Sequence, residues 1–240
     1  HEAHIGNFNS FDDLVKTKTA IFKNTDINGL IFENFDDINI KNFCKKIKNR
    51  ISFSFKNKNV DFYGLWKNEQ GKNIFYINDQ RIYNQNINEI MAKNIIACYA
   101  IASSKGISHN QIIDAIKRFT FLQGRGQIIK RNGYLIIDDT YNANYESFKA
   151  GIKSFMKLSH KGRKILVIGD MKELGKKAKD SHIHLGNYIN DKSPDIVYSF
   201  GELISYTSKQ LFDSKINTRH FNKISKMIKD IKLNLIKGDA

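Results

Sequence analysis

The chain has 240 residues, 41% hydrophobic and 26% charged, which is enough for two modest cores. No apolar run of about twenty residues is present, which excludes a helical membrane span, and the two cysteines, Cys44 and Cys98, lack metal-ligand or redox spacing, which points to a reducing compartment. The formal charge is +15, but the lysines are scattered among Asn and Ile with neither a basic arm nor an aromatic RNA-binding signature, so nucleic acid is not the expected partner.

Near the start, Ser10 is a candidate helix N-cap with Asp13 three residues on, and Phe11, Leu14, Val15, Ile21 and Phe22 form the apolar stripe of the helix that follows. Lys18 falls inside this stripe, four residues from Leu14 and seven from Phe11, whereas Lys16 points outward. A lysine so placed either snorkels its ammonium to water or turns inward for a chemical purpose. Leu30 to Phe32 reads as a short strand leading to the turn Asn34-Phe-Asp-Asp37. Ile51 to Phe55 and Val60 to Trp66 then alternate, and Asn73 to Ile77 continues an antiparallel meander whose aromatic residues read as core. Two helices follow, about Asn88 to Ser104 and His109 to Phe119, broken at Gly106.

The pattern changes near Gln123, dividing the chain into domains 1–123 and 124–240. Tyr134 to Asp138 reads as a buried parallel strand, and Glu146 to Met156 as a helix with Phe148, Ile152 and Phe155 on one side. Between them, Asp138-Asp139-Thr140-Tyr141-Asn142-Ala143-Asn144 places two carboxylates and a cluster of amides at the carboxyl end of the strand, where an α/β sheet presents polar groups to a ligand. Lys164 to Met171 is a second apolar strand, ending in Gly169-Asp170 and continued by Lys172-Glu173-Leu174-Gly175 and Ser181-His182. Strand, helix and strand at this spacing predict a right-handed βαβ unit. Taken singly, Asp-Asp-Thr also reads as a helix cap and Gly169-Asp170 as a turn. Alternation continues through Asp195 to Phe200, a helix after Gly201-Glu202, Asn217 to Phe221 and a last helix from Asn222 to Ile236. The fold class is therefore α/β, with a Rossmann-like doubly wound sheet after residue 124.

The run Asp138 to Asn144, followed by Val167-Ile-Gly-Asp-Met-Lys-Glu-Leu-Gly175 and by His182 through Gly186, resembles the carboxyl-terminal domain of the bacterial Mur ligases. Within that family it is most similar to the branch that joins D-alanyl-D-alanine to UDP-N-acetylmuramoyl-tripeptide. The resemblance implies that residues 1–123 are the last part of a central ATP-binding domain. It also implies a cytoplasmic, monomeric, ATP- and Mg²⁺-dependent ligase of peptidoglycan synthesis, acting through an acyl phosphate. A different ligase of the superfamily, such as a folylpolyglutamate-type enzyme, and a noncatalytic remnant are the alternatives.

Residue roles follow from the same resemblance. His4, with Lys18 fourteen residues later, has the spacing of a metal-binding His and a Lys modified to a carbamate, an anionic oxygen donor suited to Mg²⁺. Arg125, in Gly124-Arg125-Gly126, corresponds to an Arg that reaches nucleotide phosphate, where a guanidinium fork fits. Asp139 corresponds to an acceptor for the ribose hydroxyls, and Asn94 lies on the adenine-side helix. Tyr141, Asn142, Asn144, Glu173 and His182 are expected to contact substrate or to orient loops. The chain departs from the family's pattern at Asn88, Ile90 and Met91, which replace Gly, His and Asn, and at Ala20, where Glu is usual. No Gly-x-x-Gly-Lys-Thr phosphate loop occurs, so the sequence is expected to be a piece of a longer protein that does not ligate by itself.

Overall fold

The computed structural model describes residues 5–69, 72–82, 89–120, 122–211 and 215–240. They form two compact units, one spanning Asp12–Thr120 and the other joining the residues up to Phe11 with those from Phe121 onward. The stretch 5–11, assigned by sequence to the first domain, thus packs with the later unit.

In the unit Asp12–Thr120, helix α1 (Phe11–Lys23) precedes strand β1 (Ile31–Asn34), helix α2 (Ile38–Cys44), strands β2 (Arg50–Ser54), β3 (Phe62–Glu69), β4 (Lys72–Ile77) and β5 (Gln80–Ile82), and helices α3 (Glu89–Ser104) and α4 (His109–Arg118). The sheet runs in the order β1-β2-β3-β4-β5. Its β3-β4-β5 half is the expected antiparallel meander, but β2 pairs with β3 in parallel, Phe53 opposite Phe62. Alternating apolar residues do not encode strand direction. Polar side chains hold the connection between the two strands: the Asp61 carboxylate accepts both the amide and the hydroxyl of Ser52 at 2.7 Å, and the Ser54 hydroxyl accepts the amides of Lys56 and Asn57 as the chain leaves β2. Ala92, Ile95, Ile96 and Tyr99 of α3 and Ile112, Ile113 and Ile116 of α4 close the core over Phe75, Ile77 and Ile82. A capping box between Ser108 and Gln111 starts α4.

The later unit begins with strands β6 (Gln127–Arg131) and β7 (Tyr134–Asp138), continues through helix α5 (Tyr145–Met156) and strand β8 (Ile165–Gly169), and then alternates helix α6 (Ala178–Lys192), strand β9 (Ile196–Phe200), helix α7 (Ile204–Leu211), strand β10 (Asn217–Phe221) and helix α8 (Ile224–Asn234). Strands β10-β9-β8 form a parallel sheet. Strand β9 is apolar on both faces. Val197 joins a core with Ile152 of α5, Leu185 and Ile189 of α6 and Ile204 and Leu211 of α7, while Ile196 and Tyr198 meet Met227 of α8 on the other face. Helices therefore cover both sides of the sheet, the doubly wound arrangement expected of an α/β unit.

One expectation fails here. Tyr134–Asp138 is not a buried parallel strand but the second arm of an antiparallel hairpin with β6, and Ile136 is exposed. The cause is Asn132-Gly133, whose φ angles of 53° and 84° form the two-residue turn that matches the twist of paired strands and that Asn-Gly favours above other dipeptides. The hairpin is fastened to the sheet through residues 238–240. Leu135 donates its amide to the Asp239 carbonyl at 3.1 Å, Ile165 donates to Ala240 at 2.7 Å, and Arg163 grips both oxygens of the buried Asp239 carboxylate at 2.9 and 2.7 Å. That bidentate guanidinium holds the carboxyl of Asp239 below the usual carboxylate range.

Leu185 is fully buried at the centre of this unit. Leu185→Ala should lower its unfolding free energy by about 2–5 kcal/mol, read as a shifted midpoint in urea denaturation followed by circular dichroism.

Candidate functional site

The site is built where β7 ends. The Asp138 carboxylate accepts the Thr140 hydroxyl at 2.7 Å and the Thr140 amide at 3.2 Å on one oxygen, and the Gly124 amide at 3.2 Å on the other. Backbone bonds from Gly126 to the Asp138 carbonyl at 2.8 Å and from Tyr141 to the Gly124 carbonyl at 3.0 Å complete the stitch. Segments 124–126 and 138–141 flank the open end of the β6–β7 hairpin, where Gln127 faces Asp138, and these bonds extend that pairing. The Thr140 hydroxyl above all, with the two amides, keeps Asp138 below the usual carboxylate range.

Locking these segments brings Arg125 and Tyr141 together, with the guanidinium 3.6 Å above the centre of the phenol ring. Stacking of this kind holds a cation in place without using its N–H groups, which stay free for an anion. Asp139 faces the same neighbourhood, its Oδ2 close to the bare backbone of Gly151 on α5. Desolvation against that helix is the largest influence on Asp139 and raises its pKa, the Asp138 charge adds to the rise, and Arg125 opposes it. The Asp139 side chain nevertheless remains exposed, so its desolvation is partial and the group can still meet a ligand. An exposed, oriented guanidinium beside an accessible carboxylate can hold a phosphate and accept hydroxyl protons in hydrogen bonds.

The neighbouring amides have local duties. The Asn144 side chain accepts the Ser147 amide at 2.9 Å while the Ser147 hydroxyl accepts the Asn144 amide at 2.9 Å, a reciprocal cap that starts α5. The Asn142 side chain accepts the Ala143 amide at 2.8 Å, and Tyr141 is 66% exposed.

At the end of β8, Asp170 accepts the amides of Glu202 at 3.2 Å and Ile204 at 2.7 Å, tying that strand to the start of α7. His182 on α6 is wholly buried. Its Nδ1 lies 2.6 Å from the Ala178 carbonyl, which can only accept, so Nδ1 carries the proton and Nε2 accepts the Met171 amide at 3.1 Å. Burial holds His182 below the ordinary imidazole range against the pull of the Ala178 carbonyl and Asp170. It is a neutral bracket for the loop after β8, sealed from solvent. Glu173, on that loop, is exposed with φ of 61°, and its carbonyl accepts the Gly6 amide at 3.1 Å.

The remaining expected residues lie elsewhere. Lys18 is exposed, which corrects the reading of an inward lysine. Leu14 and Thr19 form the buried face of α1, where the Thr19 hydroxyl is satisfied by the Val15 carbonyl at 2.8 Å, while Phe11 and Ile21 are exposed. Asn94 is exposed on α3. Both belong to the unit Asp12–Thr120, whereas Arg125, Asp139, Tyr141, Asn142, Asn144, Glu173 and His182 belong to the other. His4 lies outside the described residues, and no three His, Cys, Asp or Glu side chains cluster among the described ones. The positioning role of Asp138 was missed by the sequence reading, although Asp-x-Thr after a strand signals a side chain that bonds the backbone two residues on. No helix among the described residues is long and apolar enough to cross a membrane.

Comparison with known proteins bears on this site. The family described as Mur ligase, glutamate ligase domain, matches residues 124–240. The UDP-N-acetylmuramoyl-tripeptide–D-alanyl-D-alanine ligase of Haemophilus influenzae is 27% identical over 230 residues, covering 94% of this chain and 49% of that protein. The enzyme of the same name from Bacillus subtilis is 30% identical over 149 residues, 61% of this chain and 33% of that protein. Among solved structures, the MurF ligase of Thermotoga maritima in complex with ADP aligns with a TM-score of 0.82 at 26% identity, covering 99% of this chain and 55% of that one. The chain spans about half the length of the curated relatives it matches.

The pH dependence of stability should report the bracket. Because the folded imidazole of His182 is held below its ordinary value of about 6.5, the unfolded chain binds the extra proton first. Stability from this group is therefore complete above that pH and lost as the pH falls through the folded value. Urea midpoints measured from about pH 7.5 downward should fall more steeply for the native chain than for His182→Gln; parallel slopes would exclude a neutral His182.

Proposed function

From the match of residues 124–240 to the Mur ligase, glutamate ligase domain, family, we propose that the protein is a Mur ligase, an ATP-dependent enzyme joining D-alanyl-D-alanine to UDP-N-acetylmuramoyl-tripeptide in peptidoglycan synthesis. Residues 124–240 are its carboxyl-terminal domain and the unit Asp12–Thr120 is part of its central ATP-binding domain. A cytoplasmic monomer is the corresponding form. The observation that carries this reading is the Asp138 stitch, which presents Arg125, braced on Tyr141, beside the accessible Asp139 carboxylate. In this reading Arg125 meets nucleotide phosphate and Asp139 accepts the ribose hydroxyls, while Asn94 serves the adenine side.

The γ-phosphoryl group of ATP passes to the tripeptide carboxylate, giving an acyl phosphate and ADP. The amine of D-alanyl-D-alanine attacks the acyl carbon and loses a proton, and phosphate departs. Phosphoryl transfer is accelerated mainly by positioning and charge neutralisation, which is what a braced guanidinium supplies. Magnesium is the proposed counter-ion, with Lys18 as a carbamate and His4 as its ligands. Among the described residues no group of three His, Cys, Asp or Glu that could hold a metal ion is present, so no step is assigned to the ion. The exposure of Lys18 favours a second reading, in which the protein binds nucleotide without ligating.

Two measurements test these readings. Arg125→Ala and Asp139→Asn should each weaken ADP binding about tenfold in calorimetry, the loss expected for one charge-assisted contact; undiminished affinity in both would remove this loop cluster from the nucleotide site. For the gene product carrying this chain, Lys18→Ala should abolish most ligation, with partial recovery on adding formate or acetate. Full activity in Lys18→Ala would refute the carbamate, and no ligation by the native protein would favour the second reading.

A further inference from the structure

Residues 5–7 form a short 3-10 turn whose backbone is pressed against the loop after β8. A methyl group built on Gly6 would stand 2.8 Å from the Gly175 nitrogen and 2.9 Å from the Glu173 oxygen. One built on Gly175 would stand 2.9 Å from the Gly6 Cα. Each of these is closer than real side-chain carbons come to backbone, and backbone cannot swing aside as a flexible side chain can. The Gly6 amide also donates to the Glu173 carbonyl at 3.1 Å. That carbonyl is presented by a residue held at φ of 61°, and Gly175 itself sits at φ of 54°. The loop bearing these groups is rigid from behind: Met171 and Leu174 are buried, and His182 accepts the Met171 amide.

From this geometry we propose that Gly6, Glu173 and Gly175 form a backbone clasp that anchors the stretch 5–11 to the later unit, just before the chain enters α1 and the other unit. Their contribution goes beyond the ligase reading, because backbone geometry alone carries it.

Hydrogen exchange by mass spectrometry on the 240-residue chain provides the test. Gly6 is not in the left-handed region, so Gly6→Ala carries no intrinsic backbone penalty, and any loosening must come from the lost contact. Peptides covering residues 5–11 should exchange about tenfold faster in Gly6→Ala, as expected for opening of one local element, while peptides from β8 and β9 keep their protection. Gly175→Ala should release the same stretch from the opposite side. Gly106→Ala, also at positive φ but with nothing near its added methyl, should leave residues 5–11 unchanged. Unaltered exchange of residues 5–11 in both clasp variants, or equal acceleration throughout β8 and β9, would overturn the clasp.

Discussion

Asp138 commits both carboxylate oxygens to its own surroundings, and the site rests on that commitment. An ionised carboxylate is acceptor-only, so it can take the Gly124 amide on one side and Thr140 on the other without a competing donor of its own. The open end of the β6–β7 hairpin, where Gln127 faces Asp138, is thereby closed into one edge. Its neighbour is thereby left unencumbered. Adjacent carboxyl groups are pushed in opposite directions, Asp138 down by hydrogen bonds and Asp139 up by desolvation, and this divergence separates the residue that builds the edge from the residue that faces outward.

The start of α5 and the end of β8 repeat this economy. Asn144 at the first, and Asp170 and His182 at the second, direct polar atoms at backbone amides, which satisfies the ends of strands and helices where they leave the regular ladder. Several side chains that look chemical in a motif are thus occupied in holding loops still. The groups left accessible are few, Arg125, Asp139 and Tyr141 chief among them, and they derive their orientation from the occupied ones.

Much of this was legible in advance. Asn217 to Phe221 occupies the span its alternation predicts, and α3 begins one residue from its expected start, because long periodic segments have few ways to bury their apolar face. The pairing partner of a strand was not legible in the same way. Tyr134–Asp138 reads as a parallel strand from composition, yet the two residues before it dictate a hairpin, and that local signal outweighs apolar character. The inward reading of Lys18 failed because the buried face of α1 holds Leu14 and Thr19, a threonine whose hydroxyl bonds its own helix, while Phe11 and Ile21, counted in the apolar stripe, are exposed. Asp139 was legible from its place at the end of a strand, whereas Arg125 was legible only through resemblance, because its meeting with that carboxylate follows from a hairpin that the sequence reading did not expect.

Fastening the β6–β7 hairpin through residues 238–240 has a consequence for the order in which the unit assembles. The Asn-Gly turn is a local instruction, so the two arms can find each other as soon as they exist. Docking onto β8 must wait until a stretch some hundred residues downstream has been made and has met Arg163. During synthesis, therefore, the strand that ends in Asp138 is paired early but moored late.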